Sequence, residues 1–431
     1  MTNRKIGTTT KTKLAAHTRM RSLMFTLLLA TGAASAEEPY RPDLPPPVQV
    51  KKALNEHLLV LNASSTLKME LANRQRWNDG SYEFNLRAGS AERQVVNTGQ
   101  KLKEWDIALE RPFRLPNKAD IDQNIGTLNV ERAEYALGDA RHEAGRLLLK
   151  LWFAWQRERA TADLWQKQTE ILKQQTEMTG KRVKAGDAPK LELNQAMAAA
   201  AQAGVASHQA NMRAELAGNE LARTFPAVQL PEKLEATEPV AIEHNLAYWQ
   251  SHILDDNHEL GMVQAHNQVQ QLMAQRSRAD QLPDPTLGLR YSNEMAGNEK
   301  VTGVYFIVPL SIGHRSAIAR GVEQQAVIAA DQEAFVRRRL EGDIYAAHLQ
   351  ATQNYDAWLL AHDAANSVRD NAELVSRAYR LGEAGLSESL TARRQALESS
   401  LAENLARLDA NESHYRLLLD AHMLWAQEEP Q

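Results

Sequence analysis

The chain has 431 residues and no cysteine, which excludes disulfides, thiolate metal sites, a cysteine nucleophile and a lipidated N-terminal cysteine. Its 50 lysines and arginines against 54 acids give a formal net charge of −4, and aromatics at 6% beside abundant Ala, Leu, Gln, Glu and Arg lean helical. Beyond residue 36 no stretch approaches the roughly 18–20 apolar residues of a membrane-spanning helix.

Residues 1–36 read as a secretory signal peptide. Arg4, Lys5, Lys11, Lys13, Arg19 and Arg21 form a basic region, 23–30 is a short apolar core, and Ala34-Ser-Ala36 supplies small residues at a cleavage position. Removing these six positive charges moves the net charge from −4 to −10 (−4 − 6). An exported chain this acidic is a poor nucleic-acid binder, and no nucleic acid is expected.

Residues 37–47 hold five prolines and read as an extended arm rather than a packed element. From 48 to about 76 the spacing of Leu54, Leu58, Leu61, Leu67 and Leu71 predicts one amphipathic helix. The period then changes to two. Tyr82-Glu-Phe-Asn-Leu-Arg-Ala88 and Trp105-Asp-Ile-Ala-Leu-Glu110 alternate around a polar connection with Asn97 and Gly99, a β-hairpin over about 81–113. A helix follows over about 119–184, on the order of 100 Å long at 1.5 Å per residue, which implies coiled-coil-like packing. Gly186 and Pro189 break it, glycine suiting a left-handed cap and proline a helix start. A return helix over about 189–225 closes a first repeat spanning 48–226.

Residues 227–240 form an irregular linker, and the programme restarts over 241–431. Two helices are predicted between 241 and 279, divided near Asp255-Asp-Asn257. A second hairpin covers about 285–312, a second long helix about 315–381 and a second return helix about 386–427. The two helix breaks are Lys181-Arg-Val-Lys-Ala-Gly-Asp-Ala-Pro-Lys-Leu-Glu-Leu193 and Arg377-Ala-Tyr-Arg-Leu-Gly-Glu-Ala-Gly-Leu-Ser-Glu-Ser-Leu390. Laying Gly382 over Gly186 gives an offset of 196 (382 − 186), with Arg380 over Lys184, Glu383 over Asp187 and Glu388 over Glu192. Val308–Arg315 lies over Arg111–Lys118 at an offset of 197 (308 − 111). Near-equal offsets at elements so far apart indicate one unit written twice.

Four strands per chain cannot close a barrel, and antiparallel strands span a membrane only when every edge is paired. Three chains would supply twelve. Lipid would then meet Tyr82, Phe84, Leu86, Trp105, Ile107 and Leu109 in the first repeat, and Leu287, Leu289, Tyr291, Val304, Phe306 and Val308 in the second. Glu83, Asn85, Arg87, Asp106, Glu110 and Arg290 would line a wet lumen. The alternative at this level is that the hairpins lie apolar side down on a soluble helical domain.

Two tandem repeats of hairpin plus long helix pair behind a signal peptide resemble the TolC family of outer-membrane efflux proteins over about 48–427. Val183-Lys-Ala-Gly186 and Tyr379-Arg-Leu-Gly382, each followed six residues on by an acid, resemble the family's tip turns. The resemblance implies a mostly α fold with a small β part. It further implies a homotrimer, a twelve-stranded β-barrel continuous with an α-helical tunnel into the periplasm, and contact with outer-membrane lipid. The implied partners are a periplasmic membrane-fusion adaptor and an inner-membrane pump of the RND type. Adaptor docking falls on the tips, at Lys184, Gly186, Asp187, Pro189, Arg380, Gly382, Glu383 and Gly385. By the same resemblance Glu388 stands at an acidic pore constriction, where three carboxylates would favour cations and raise one another's pKa. Tyr379 stands on the gating tyrosine and Glu192 on the acid that latches the closed state. Ala384, Leu191 and Thr391 depart from the family's arginine, threonine and acid. The usual latch is thus not expected intact, and Arg380 and Lys184 are the candidate substitutes. Both glutamates also suit a plainer role as acids at a helix start.

The short strand connections and the Pro283-Asp-Pro-Thr-Leu287 lead-in most resemble CzcC-type members serving heavy-metal cation pumps. A drug-efflux or type I secretion duct of the same family is the nearest alternative, and a soluble periplasmic coiled-coil adaptor comes from another class. No paired-carboxylate signature, glycine-rich phosphate loop or His-Glu-x-x-His is present, so no enzyme and no cofactor is expected. His244, His252, His258 and His266, and His414 and His422, are spaced too widely for the usual i, i+4 metal pair. They read as surface or seam residues, and no metal is expected. Trp152, Trp155, Trp165 and Trp358 read as helix packing.

Overall fold

A computed structural model of the chain describes residues 41–233, 235–310 and 312–425. The signal-peptide segment 1–36, the first residues of the proline arm and the last positions expected in the second return helix lie outside them. The chain is mostly α with one four-stranded antiparallel sheet. Among the described residues, no helix is long and apolar enough to cross a membrane.

The elements come in two matching sets. The first is α1 (Pro47–Glu56), α2 (Leu58–Asp79), β1 (Asn85–Gln94), β2 (Lys101–Pro112), α3 (Pro116–Ala185) and α4 (Lys190–Thr224). The second is α5 (Leu246–Asp255), α6 (His258–Ala279), β3 (Thr286–Glu294), β4 (Glu299–Ile307), α7 (Ile312–Leu381) and α8 (Leu386–Asp420). A 3-10 turn, Met295–Gly297, joins β3 to β4. Corresponding helices have equal lengths, at 10, 22, 70 and 35 residues. Each 70-residue helix is about 105 Å long. Its 35-residue return helix backs only about half of that length. The shorter helices back the rest, with α6 packed on both α3 and α7.

Buried residues on α7 recur every seven positions, at Ile344, Ala351, Trp358, Ala365, Ala372 and Tyr379. On α4 two such series interleave: Ala196, Ala203 and Ala210, and Ser207, Ala214 and Leu221. A strict seven-residue recurrence keeps one seam facing a partner helix, and alanine in the seam lets the helices approach closely. The largest core joins Leu148, Trp152 and Phe153 of α3 to Leu221 of α4, Leu54 of α1 and Leu408, Tyr415 and Leu419 of α8. Arg157 to Asp409 (2.7 Å) and Arg146 to Asp420 (2.8 Å) add ion pairs between α3 and α8. The two repeats therefore share one interior.

Several sequence expectations need correction. The proline arm is packed where described. Asp43 and Leu44 are buried, the Asp43 carbonyl accepts from Trp152 Nε1 and Gln156 Nε2 (both 2.7 Å), and its carboxylate accepts from Tyr415 (2.8 Å). The helix expected over 48–76 is two helices, broken where His57 is extended (ψ 139°) and its ring accepts from Leu59 N–H. Of the leucines used to draw that helix, Leu54 is buried while Leu58, Leu61 and Leu71 are exposed. The second return helix ends at Asp420, followed by a turn in which His422 and Trp425 have positive φ.

The sheet has order β1-β2-β3-β4, so β2 and β3 join the two hairpins. Its register puts Leu86, Leu109, Leu289 and Val304 in one row, and Ile107 and Tyr291 in the next with Ala88 and Thr302. Side chains opposite one another share a face. Leu86 (69%), Val304 (64%) and Phe306 (71%) are exposed on it, as are Phe84, Trp105, Ile107 and Leu289. The other face carries Arg87, Asp106, Glu110 and Arg290, with Tyr305 donating to Glu110 (2.8 Å). Tyr82 departs from the expected lipid-facing set. It precedes β1, is half-buried, and donates its hydroxyl to Asp284 (2.8 Å).

Asp284 belongs to a charged collar between sheet and helices. Lys118, fully buried, donates to Asp284 (2.9 Å), Asp280 (3.0 Å) and the Leu282 carbonyl (2.7 Å). Asp122 accepts from Arg276 (2.6 Å) and Arg114 (3.2 Å), and Arg114 also donates to the Trp77 and Asn78 carbonyls. A buried ammonium is tolerable only when its protons are paired, and here the partners come from the other repeat.

Candidate functional site

The two helix breaks have one backbone geometry. Gly186 (φ 84°) ends α3 and Gly382 (φ 82°) ends α7 in the left-handed region, which a residue with a side chain rarely adopts. In each, two N–H groups turn back on the helix: Gly186 to Val183 O and Asp187 to Arg182 O (3.2 and 2.8 Å), and Gly382 to Tyr379 O and Glu383 to Ala378 O (3.1 and 2.9 Å). Every partner is displaced by 196 residues. The chain then starts the next helix with Pro189 and Gly385 as N-caps, both in extended conformation.

The side chains differ. Tyr379 is buried with Ala196 and Leu386, closing the seven-residue seam of α7 against the start of α4 and α8. Its hydroxyl accepts from Arg182 Nη1 (2.9 Å) and donates to Glu192 (3.4 Å). Arg182 lies over the Tyr379 ring at 5.4 Å and 3.9 Å from the Glu192 carboxylate. A second Arg182 nitrogen donates to the Asp187 carbonyl (3.3 Å). The first tip is thus bonded to the second through three side chains. Glu388 takes no part. It is exposed and accepts from the Gly385 N–H (3.1 Å), the geometry of an acid capping its own helix.

Neither candidate substitute for the latch arginine joins this cluster. Arg380 donates to Ser376 Oγ (3.3 Å), which also accepts from Arg393 (2.6 Å). Burial, reinforced by the charge of Arg380, pulls Arg393 below the usual guanidinium range. Lys184, Asp187 and Glu383 are exposed. Arg182 does not stand out in the sequence because several basic residues crowd the first tip. The available signal was asymmetry: its counterpart 196 residues on is Ala378.

The structure also gathers residues that their sequence spacing keeps apart. His142 of α3, His258 at the start of α6 and His422 after α8 bring one ring nitrogen each to within 4.8 Å of one another. Trp152, Trp155 and Trp358 are buried among helices.

No family model matches the sequence, and no curated protein matches it. Solved structures do. The outer-membrane channel CmeC of Campylobacter jejuni superposes with a TM-score of 0.71 at 16% identity, over 89% of this chain and 86% of that one. CusC, whose structures concern folding and transmembrane channel formation, gives 0.70 at 12% over 87% and 91%. The outer membrane protein VceC of Vibrio cholerae gives 0.69 at 15% over 88% and 95%. The chain has the fold of the TolC-like outer-membrane channels.

Proposed function

We propose that this chain is the outer-membrane component of an efflux system, a passive exit duct closed by three copies around one axis. The observation that carries this is the sheet. Its apolar face is exposed, and among the described residues β1 and β4 are edges with no strand to pair. An exposed apolar face and open strand edges invite association in water, and pairing β4 of one copy with β1 of the next satisfies both demands in lipid. Exposed apolar residues along α7, among them Val327, Ile328, Phe335 and Leu360, support self-association of the helices too. A soluble adaptor leaves that sheet without a role.

The signal-peptide reading and the tip turns support export and docking of a periplasmic adaptor, with an inner-membrane pump supplying energy. The lead-in to the second hairpin supports heavy-metal cations as cargo. Fractionation tests the main reading. The protein should sediment with outer membrane, run as a trimer in detergent and conduct ions in a planar bilayer. Release with soluble periplasm, or a monomer in detergent, would sink it. Glu388→Gln should weaken block of the conductance by divalent cations, and an unchanged block removes Glu388 from the constriction.

A further inference from the structure

We infer that His142, His258 and His422 form a binding site for one late first-row divalent cation, of which Zn2+ is the probe. Bound there, the ion would clamp the turn after α8 onto the α3–α6 pair. The three imidazoles come from three separate elements, one of them in the first repeat. His258 Nε2 and His422 Nε2 are 3.3 Å apart, and the full trio of ring nitrogens fits within 4.8 Å. Zinc–imidazole bonds of about 2.0–2.1 Å in tetrahedral geometry place ligand nitrogens about 3.3 Å apart. One pair already has that separation, and the site would require the His142 nitrogen to close on it from within 4.8 Å.

The rings stand edge to face, His142 at 4.3 Å from His422 and 5.4 Å from His258 between centroids. The backbone is shaped around them. Gly138, one turn before His142, sits where a Cβ would lie 2.7 Å from the His258 ring. His422 itself has φ 58°, a conformation that a residue with a Cβ holds only when its surroundings fix it.

Charges of both signs surround the trio. The nearby Arg146 and Arg416 are both paired with Asp420 (2.8 Å each). A cavity of about 420 Å³ opens on the trio and carries Glu131, Glu134, Tyr135 and Arg141 on its wall, leaving room for water in the fourth position. This site is independent of what the duct exports.

The test uses the full-length protein in its detergent-solubilised assembly, freed of metal by a chelator. Zinc titration should give one tight ion per chain and a raised melting temperature. His142→Gln, His258→Gln or His422→Gln should each weaken binding at least about tenfold by removing one of three ligands. His314→Gln, an exposed histidine, should leave it unchanged. Should the variants misfold, diethylpyrocarbonate labelling of the wild type decides. Zinc must protect His142, His258 and His422 but not His314. Absent binding, binding that survives replacement of all three, or protection elsewhere overturns the site.

Discussion

At the first tip Glu192 joins Arg182 and Tyr379, while Glu388, its counterpart 196 residues on, turns back to cap its own helix. The backbones match, so the difference needs a local cause. It lies three residues earlier. Gly385 offers a backbone N–H to the acid, whereas Pro189 in the same place has none. Without that donor Glu192 finds its partners across the tip. A single proline thus separates an acid that holds two hairpins together from one that stays with its own helix.

The largest test of this asymmetry is Tyr379→Ala against Val183→Ala, its partner by offset. Removing a buried aromatic side chain costs about 3 kcal/mol, whereas Val183 is only half-buried and should cost under about 1 kcal/mol. Hydrogen exchange at 182–193 and 378–389 reads both, and equal losses would break the comparison. Next come Gly186→Ala and Gly382→Ala. Each forces a Cβ into the left-handed region at about 1–2 kcal/mol, equally at the two tips. Unequal protection would show that the shared turn is not shared energetically.

Smaller effects sharpen the side-chain account. Glu192→Gln should cost roughly 0.5 kcal/mol, since the Arg182 pair is partly solvated, and should speed tryptic cleavage after Arg182. Unchanged cleavage would remove Glu192 from the contact that joins the two tips. Smallest is Glu388→Ala, which should raise exchange at the start of α8 roughly twofold, as loss of a weak cap does. In a Gly385→Pro background the same change should do nothing. Gly385, at φ −80°, already has a conformation proline accepts, and the N–H that Glu388 caps is gone. A persisting effect would mean Glu388 acts through another partner.

Much of the fold was legible because it is periodic. The change from period 3.6 to period 2 located the strands, and the constant offset located the second set of elements. What was not legible lacked period. The outer half of β1, Gly89 to Gln94, is small or polar throughout and does not alternate, so its sequence does not mark it as strand. Asp43 and Leu44 looked like part of a proline arm because their partners stand more than 100 residues away on α3 and α8. The tip acids were visible as a pair, but not that one would reach Arg182. The histidine trio was hidden most completely, since spacing along one helix says nothing about rings delivered by two helices and a turn.

The edges of the sheet carry a final consequence for a chain acting as proposed. Rows of peptide N–H and C=O on β1 and β4 are tolerable in water and prohibitive in hydrocarbon, at several kcal/mol per unpaired group. A lone copy therefore has no stable inserted form to wait in. Membrane entry and assembly must be one cooperative event, with a rate that rises steeply with protomer concentration. A copy damaged at either edge would stall its two companions with it.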